Sequence, residues 1–175
     1  MTETTTRLDV AALNRMDQAE FTRTLGQTFE HSPWVAEGAW NARPFADVDE
    51  LHRAMMAVVE KAPQEQQLAL LRAHPDLAGK EAEEGTLTDA STIEQASAGL
   101  NALSRAEMEQ ISRFNAAYKE KHRFPFIVCV RHYTKRGIFF EFARRLSRDT
   151  ATEFGEDLVQ IGAITRIRLD AMLAH

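Results

Sequence analysis

One stretch in the first half of the chain has the sequence Asp47-Val-Asp-Glu-Leu-His-Arg-Ala-Met-Met-Ala-Val-Val-Glu-Lys-Ala-Pro63. Asp47 and Glu50 have the spacing of a capping box, in which each side chain satisfies an amide that the start of a helix leaves unpaired. The apolar residues that follow share one helical face: Val48, Leu51, Met55, Val58 and Ala62. Pro63 suits the first turn of a further helix, where its missing N–H costs nothing. The stretch therefore predicts an amphipathic helix followed directly by another.

The same helix-start spacing recurs along the chain, at Asp17/Glu20, Ser91/Glu94, Ser104/Glu107 and Thr150/Glu153. Thr134 can cap a further helix. Apolar residues at helical spacing follow these starts, and the helix after Pro63 should stop at His74 because Pro75 disfavours helical backbone before it. We predict an all-α fold, a bundle of about seven or eight helices.

Two stretches do not fit the helical pattern. Residues 79–88 are charged and contain Gly85, which predicts a loop. Residues 124–133 are rich in β-branched and aromatic residues, as strands are, but no partner strand is evident. We expect this second stretch to be an extended segment packed between helices, with exposed amides available to a ligand.

Length and composition limit the class of protein. The chain has 175 residues, of which 44% are hydrophobic and 27% charged, so we expect one soluble domain over residues 1–175 with a disordered tail at residues 1–8. The net charge of −5 disfavours nucleic-acid binding. No run approaches the ~20 apolar residues of a membrane helix, and neither a signal peptide nor a peroxisomal tripeptide is evident. We expect a cytoplasmic protein without a membrane or nucleic-acid partner.

His74 is the first candidate for chemistry. Imidazole exchanges a proton near neutral pH, and Pro75 fixes the backbone that follows. A histidine at the end of a helix also interacts favourably with the helix dipole. Taken alone, the position favours this second interpretation.

Arg168 is the more informative candidate. On a helical wheel it points between Ile161, Ile164 and Met172, whereas Arg166 points to the opposite, solvated side. A guanidinium among core positions needs an anion or several hydrogen-bond acceptors. An internal glutamate and a substrate carboxylate satisfy this need equally well.

Ser91, Glu94 and Gln95 lie at a predicted helix start. A capping box accounts for Ser91 and Glu94, but a helix start also attracts anions, and Glu94 and Gln95 can hydrogen-bond an amide or ureido group. Metal-ligand spacing, a Walker loop, GxGxxG and GxSxG are all absent from the sequence, so neither a metal nor a nucleotide is expected. Cys129, the single cysteine, lies in an apolar run that favours a structural thiol.

Six strings of sequence together go beyond generic helix: Phe29-Glu-His-Ser-Pro-Trp-Val-Ala-Glu37, Arg43-Pro-Phe45, His74-Pro-Asp-Leu-Ala-Gly-Lys80, Glu94-Gln-Ala-Ser-Ala-Gly-Leu100, Phe124-Pro-Phe-Ile-Val-Cys-Val130 and Ile164-Thr-Arg-Ile-Arg-Leu169. With them the chain resembles the 2-oxo-4-hydroxy-4-carboxy-5-ureidoimidazoline (OHCU) decarboxylase family from about Leu13 to Leu169. These enzymes catalyse the last step of the pathway from urate to allantoin. The strings around His74 and Phe124 are the most specific.

The resemblance implies an all-helical homodimer without a cofactor that releases CO2 from a small ureide and forms (S)-allantoin. It implies that His74 is catalytic, and we expect Glu94, within the matched positions 91–95, to be a second catalytic residue that orients His74 or the ureido N–H groups. It also implies substrate-binding residues, which are Pro75, Ser91, Gln95, Phe126, Ile127, Val128, Cys129, Val130 and Arg168. The helical wheel selects Arg168 independently of the resemblance.

Two other functions remain as alternatives. A ring-opening hydrolase of a related ureide would use the same histidine and glutamate to activate water. A non-catalytic helical binding module would need no buried Arg168 and should tolerate its replacement by methionine. Neither alternative accounts for His74, Glu94 and Arg168 together.

Overall fold

A computed structural model of the chain describes residues 8–174. Within these residues it contains ten α-helices, two short 3-10 helices and no β-strand, so the all-α prediction is confirmed. The α-helices are α1 Val10–Arg15, α2 Gln18–Leu25, α3 Trp34–Ala39, α4 Val48–Lys61, α5 Gln64–Ala73, α6 Lys80–Glu84, α7 Asp89–Ser97, α8 Arg105–His122, α9 Lys135–Leu146 and α10 Thr150–Met172. The 3-10 helices are Trp40–Ala42 and Val130–His132. None of the helices in this range is both long enough and apolar enough to cross a membrane.

The structure has more helices than the predicted seven or eight because three of them are very short. Helices α1, α3 and α6 contain six, six and five residues, too few for the apolar spacing to repeat. Helix α6 lies inside residues 79–88, so the prediction of a loop there is wrong in part. Gly85, at a φ of +69°, ends this helix in the left-handed region that glycine adopts without strain.

Four predicted N-terminal caps are confirmed by hydrogen bonds from a backbone amide to the capping side chain, at distances of 2.8 to 3.2 Å: Asp17, Asp47, Ser104 and Thr134. At Asp47 the carboxylate of Glu50 also accepts the amide of Ala46. These residues begin their helices because their side chains replace the missing helical acceptor.

The other two predicted caps are wrong. Thr88, not Ser91, caps α7, and its hydroxyl accepts the Ser91 amide at 3.3 Å. Asp149, not Thr150, precedes α10 and accepts the amide of Thr152 at 2.9 Å. In both cases the residue that caps the helix lies one to three positions before the predicted one.

Helix α4 buries a slightly different face from the predicted one. Val48, Leu51 and Met55 are buried as expected, but Val59 is fully buried while Val58 is half-buried. Val58 instead lies against Gly38 of α3, where an added Cβ would come within 2.8 Å of its side chain. The close approach of α3 to α4 therefore needs a glycine.

Contacts between residues group the described chain into two compact units. The prediction of one domain over residues 1–175 stays a prediction. The first unit comprises residues 8–70 and 164–174. Its fully buried side chains come from all of these segments: Leu13, Phe21, Leu25, Phe29, Val35, Leu51, Met55, Val59, Leu70, Leu169 and Leu173.

Residues 1–7 of the predicted tail lie outside the described residues. Leu8, its last residue, accepts a hydrogen bond from the amide of Ala174 at 2.7 Å.

One of the six quoted strings has a structural role in the first unit. The Arg43 guanidinium donates to the carbonyls of Asn14 and Met16 at 2.9 and 2.8 Å, and it stacks over the ring of Trp40 at 4.0 Å. The side chain of Asn14 in turn bonds both backbone groups of Phe45. These contacts fasten residues 43–45 to the end of α1.

The second unit comprises residues 71–163 and has an aromatic core. Tyr118 of α8 is fully buried and makes edge contacts with Phe124, Phe126 and Phe142. Phe126 stacks on Phe142 of α9 with 3.8 Å between ring centroids. These rings place the start of residues 124–133 against α8 and α9.

Candidate functional site

His74 lies directly after α5, which ends at Ala73 as Pro75 predicts. The amide of His74 still donates to the carbonyl of Leu71 at 3.1 Å, and its side chain is 8% exposed. The backbone of His74 is therefore fixed at a helix end and its side chain is largely shielded from water, and an imidazole so placed can exchange a proton with a bound molecule.

The turn after Pro75 has unusual backbone geometry. Ala78 has a φ of +45°, in the left-handed region that residues with a Cβ seldom adopt. At Gly79 an added Cβ would lie 2.6 Å from the Cβ of Asp76, so only glycine fits there. Such geometry persists only where surrounding groups hold it in place.

Side chains from α7 and α8 hold this turn. Gln95 accepts the amide of Ala78 at 2.9 Å, and Asn115 donates to the carbonyl of Leu77 at 3.0 Å. Both side chains are more than nine-tenths buried. Gln95, predicted to bind substrate, supports the loop that carries His74.

Lys119 adds an ion pair to the same turn, with its Nζ 2.8 Å from Oδ2 of Asp76. Neither Asn115 nor Lys119 is among the predicted site residues. Asn115 lies at helical spacing from the buried Ile111 and Tyr118, and an amide among such neighbours could have indicated a backbone partner.

The three candidates on α7 differ in exposure. Ser91 and Gln95 are buried, whereas Glu94 is half-buried. Because Thr88 is the cap, Ser91 lies in the first turn of α7 and not at its start. The capping explanation for Ser91 and Glu94 therefore does not apply.

Helix α7 packs against the 3-10 helix Val130–His132, which follows the extended segment. Burial raises the pKa of the Cys129 thiol, and the Glu94 carboxylate adds to this rise. A thiol of raised pKa fits the structural role expected of Cys129. The second unit therefore brings Glu94 near the end of the extended segment.

The extended segment, defined here as residues 124–130, is buried throughout and forms no sheet. The prediction that its amides are exposed is wrong for two of them. The amide of Ile127 donates to Oδ1 of Asp157 at 3.2 Å, and the amide of Cys129 donates to Oε1 of Gln160 at 2.9 Å. Side chains of α10 replace the missing partner strand for these groups.

Arg145 of α9 completes this arrangement and is fully buried. Its guanidinium donates to the carbonyl of Ile127 at 2.7 Å, to Asp157 at 2.6 Å and to Glu153 at 2.7 Å. It also stacks over the ring of Phe126 at 4.4 Å. The segment is thus fixed by a buried ionic cluster of Arg145, Glu153 and Asp157.

Burial has a measurable electrostatic consequence in this ionic cluster. It raises the pKa of the Asp157 carboxyl to about 8, and the Arg145 guanidinium limits the rise. The burial of these three charged residues is not among the predictions, and Glu153 is predicted instead to belong to a capping box with Thr150. Glu153 and Asp157 lie at helical spacing from the buried Ile161, which is the signal that could have found them.

Arg168 belongs to the first unit, where its side chain is buried as the helical wheel predicts. Its Nη1 lies 3.2 Å from Oε2 of Glu30 and 3.2 Å from the carbonyl of Thr28. An internal glutamate therefore pairs with Arg168, the first of the two alternatives. Arg166 is about a third exposed, at 35%, and pairs with Asp49 and Asp170.

The second unit therefore contains His74 and Pro75, the three candidate residues of α7 and the extended segment. It contains a buried imidazole, a half-buried carboxylate near the end of the extended segment and a fixed run of backbone, groups of the kind that bind and protonate a small polar molecule. Within residues 8–174, no three histidine, cysteine or acidic side chains form a metal-binding group.

Comparison with known proteins extends this description. A family model described as OHCU decarboxylase matches residues 14–170. The chain is 44% identical over 162 residues to the 2-oxo-4-hydroxy-4-carboxy-5-ureidoimidazoline decarboxylase of Haloferax volcanii, covering 93% of this chain and 94% of that relative. It is 36% identical to the protein of the same name in Xenopus laevis, covering 93% of each.

A solved structure with the same fold is described as (S)-allantoin synthase. It superposes with a TM-score of 0.78 at 30% sequence identity, over 95% of this chain. The chain spans about half of that structure, 54% of its length.

Proposed function

The chain belongs to the OHCU decarboxylase family, and we propose that it converts 2-oxo-4-hydroxy-4-carboxy-5-ureidoimidazoline to (S)-allantoin and CO2 in urate degradation. The match to the family over residues 14–170 is the observation that carries the proposal. The buried His74, held at a fixed helix end in the second unit, agrees with it.

The chemistry of the substrate explains why the reaction needs few catalytic groups from the protein. It carries a carboxylate and a hydroxyl on C4, beside a C5=N bond. When the bond to CO2 breaks, its electron pair remains at C4 and can flow into the C=N group. Because the substrate contains its own electron sink, the reaction does not require a cofactor.

His74 carries the proton transfer in this proposal. The imidazole either takes the proton of the C4 hydroxyl or delivers one to C5, on one face of the ring. Pro75 fixes the backbone beside it. Glu94 orients the imidazole or accepts the ureido N–H groups.

The remaining candidates bind the substrate. Ser91 and Gln95 contact the ureido group, and Gln95 also supports the turn at Ala78. Arg168, oriented by Glu30, binds the carboxylate or a ring carbonyl, as guanidinium does with planar anions. The backbone of Phe126, Ile127, Val128, Cys129 and Val130 supplies further hydrogen bonds.

Freshly generated substrate tests the proposal. Uricase and hydroxyisourate hydrolase produce it in situ from urate, and CO2 release and circular dichroism of allantoin are then followed together. Fast formation of (S)-allantoin with one CO2 per turnover supports the decarboxylase. A ring-opened product formed without CO2 would instead indicate the hydrolase, and only the slow racemic background would indicate a binding module.

We also propose that the protein is a cytoplasmic homodimer. The resemblance to the family supports the dimer, and Phe140 of α9, 72% exposed, offers an apolar contact. Sedimentation equilibrium should give twice the 19.8 kDa of one chain. The monomer mass at micromolar concentration would contradict the dimer.

A further inference from the structure

The amides of the extended segment alternate in direction. In extended backbone, the N–H and C=O of one residue point to one side and those of the next residue point to the other. The amides of Ile127 and Cys129 both donate to side chains of α10, and the carbonyl of Ile127 accepts from Arg145. These three groups therefore mark the side of the segment that faces the protein interior.

The backbone groups of Val128 lie on the opposite side. Val128 is 3% exposed, and within residues 8–174 no group accepts its amide. A buried amide without a protein acceptor is costly unless water or a ligand bonds it. The geometry thus leaves the Val128 amide as a hydrogen-bond donor for a bound molecule.

We propose that Gln160 and Asp157 are positioning residues for the reaction, which direct the Val128 amide towards the substrate by bonding the amides on either side of it. This inference rests on the proposed function, because it requires that the substrate binds the backbone of residues 126–130. Neither side chain touches the substrate, and both act through the segment.

Gln160 is the part of this arrangement that can be tested separately. It is half-buried and lies outside the ionic cluster of Arg145, Glu153 and Asp157. Its Nε2 donates to Glu156 at 2.8 Å, so the amide of Gln160 is oriented with its oxygen towards Cys129. Removing that oxygen frees Cys129 while Asp157 still holds Ile127.

The test is Gln160→Leu, assayed on freshly generated substrate with hydrogen exchange measured in parallel. Without Oε1 of Gln160 the Cys129 amide has no acceptor, and the segment is free to rotate. We therefore expect kcat/KM to fall about tenfold, mostly through a higher KM. The amide of Cys129 should exchange about tenfold faster. Gln160→Asn, one methylene too short to reach Cys129, replaces this variant if it fails to fold.

Two further variants separate positioning from general damage to α10. Val159→Ala changes an exposed neighbour and should leave kcat/KM unchanged. The double exchange E156Q with Q160E keeps an oxygen for Cys129 and a hydrogen bond between the two side chains. It should restore kcat/KM to within about threefold of the wild type.

Each result has a distinct meaning. An inactive wild-type protein refutes the proposed function. An active wild type with Gln160→Leu within twofold of its kcat/KM overturns the positioning role alone. The double exchange being as impaired as Gln160→Leu also overturns it, because the acceptor oxygen would then not matter.

Discussion

Replacing Arg145 by methionine is the most informative test of the second unit. Arg145 is fully buried and is the cation of the ionic cluster with Glu153 and Asp157. Methionine has a similar length but no charge. The variant therefore leaves two buried carboxyl groups without their cation and releases the carbonyl of Ile127.

The expected cost follows from this burial. Removing one partner of a buried ion pair destabilises a protein by about 3–5 kcal/mol. We expect a loss of about 4 kcal/mol in the free energy of unfolding at neutral pH. We do not expect a larger loss, because a buried carboxyl group becomes neutral when it binds a proton. The pKa of Asp157 is already about 8.

The stability of the protein should also depend on pH through Asp157. The folded-state pKa of Asp157 lies above its unfolded value, so stability falls as pH rises from the unfolded to the folded pKa. Without Arg145 the folded pKa rises further, and the fall continues to higher pH. The difference between variant and wild type should grow above about pH 8, by at most about 1.4 kcal/mol per pH unit.

Urea unfolding followed by far-ultraviolet circular dichroism at about pH 7 and pH 9 measures this difference. The control is Arg105→Met, because Arg105 is 95% exposed and pairs with Glu109 on the surface. Its loss should not exceed about 0.5 kcal/mol. A loss below about 1 kcal/mol for Arg145→Met, or one independent of pH, would contradict the role of Arg145 as the cation that stabilises the two buried carboxyl groups.

Three further outcomes are expected. Arg168→Met should lower kcat/KM at least about 100-fold by removing a buried cation at the proposed site, whereas the partly exposed Arg166→Met should keep it within about threefold. Burial lowers the pKa of His122, so stability is lost as pH falls below about 6.5, and urea titrations of His122→Gln should show a flatter dependence there. Gln95→Leu leaves the Ala78 amide unsatisfied and should cost about 1–3 kcal/mol in urea unfolding.

The helices were predictable because their signals are local. Asp47 and Ser104 each cap a helix whose apolar face follows at once, and Pro75 ends α5 where expected. The errors arose where two capping residues compete, as Asp149 does with Thr150. Tertiary contacts decide which of the two residues caps the helix, and the hydroxyl of Thr150 forms a hydrogen bond with His122 instead.

The buried charges were not predictable from hydrophobic periodicity. That pattern treats carboxylates as surface groups, yet Glu153 and Asp157 are fully buried on the stripe that continues through Ile161. Their burial depends on Arg145, which lies on a different helix. Only the fold brings these three residues together.

The candidate site was predicted in part. The buried Arg168 followed from the helical wheel, but its partner Glu30 is 138 residues away in sequence. The loop at His74 followed from Pro75, while its supports Gln95 and Asn115 come from two later helices. Sequence patterns identify groups that need partners, and long-range contacts decide which partners they receive.

The role of His74 in proton transfer is tested by the rate at which His74→Ala forms (S)-allantoin from freshly generated substrate, compared with the wild type. We expect a folded variant that has lost at least about 100-fold in kcat, while His132→Ala, at an exposed histidine of the same unit, stays near the wild-type rate. A near-normal kcat for His74→Ala would contradict the assignment of proton transfer to this residue.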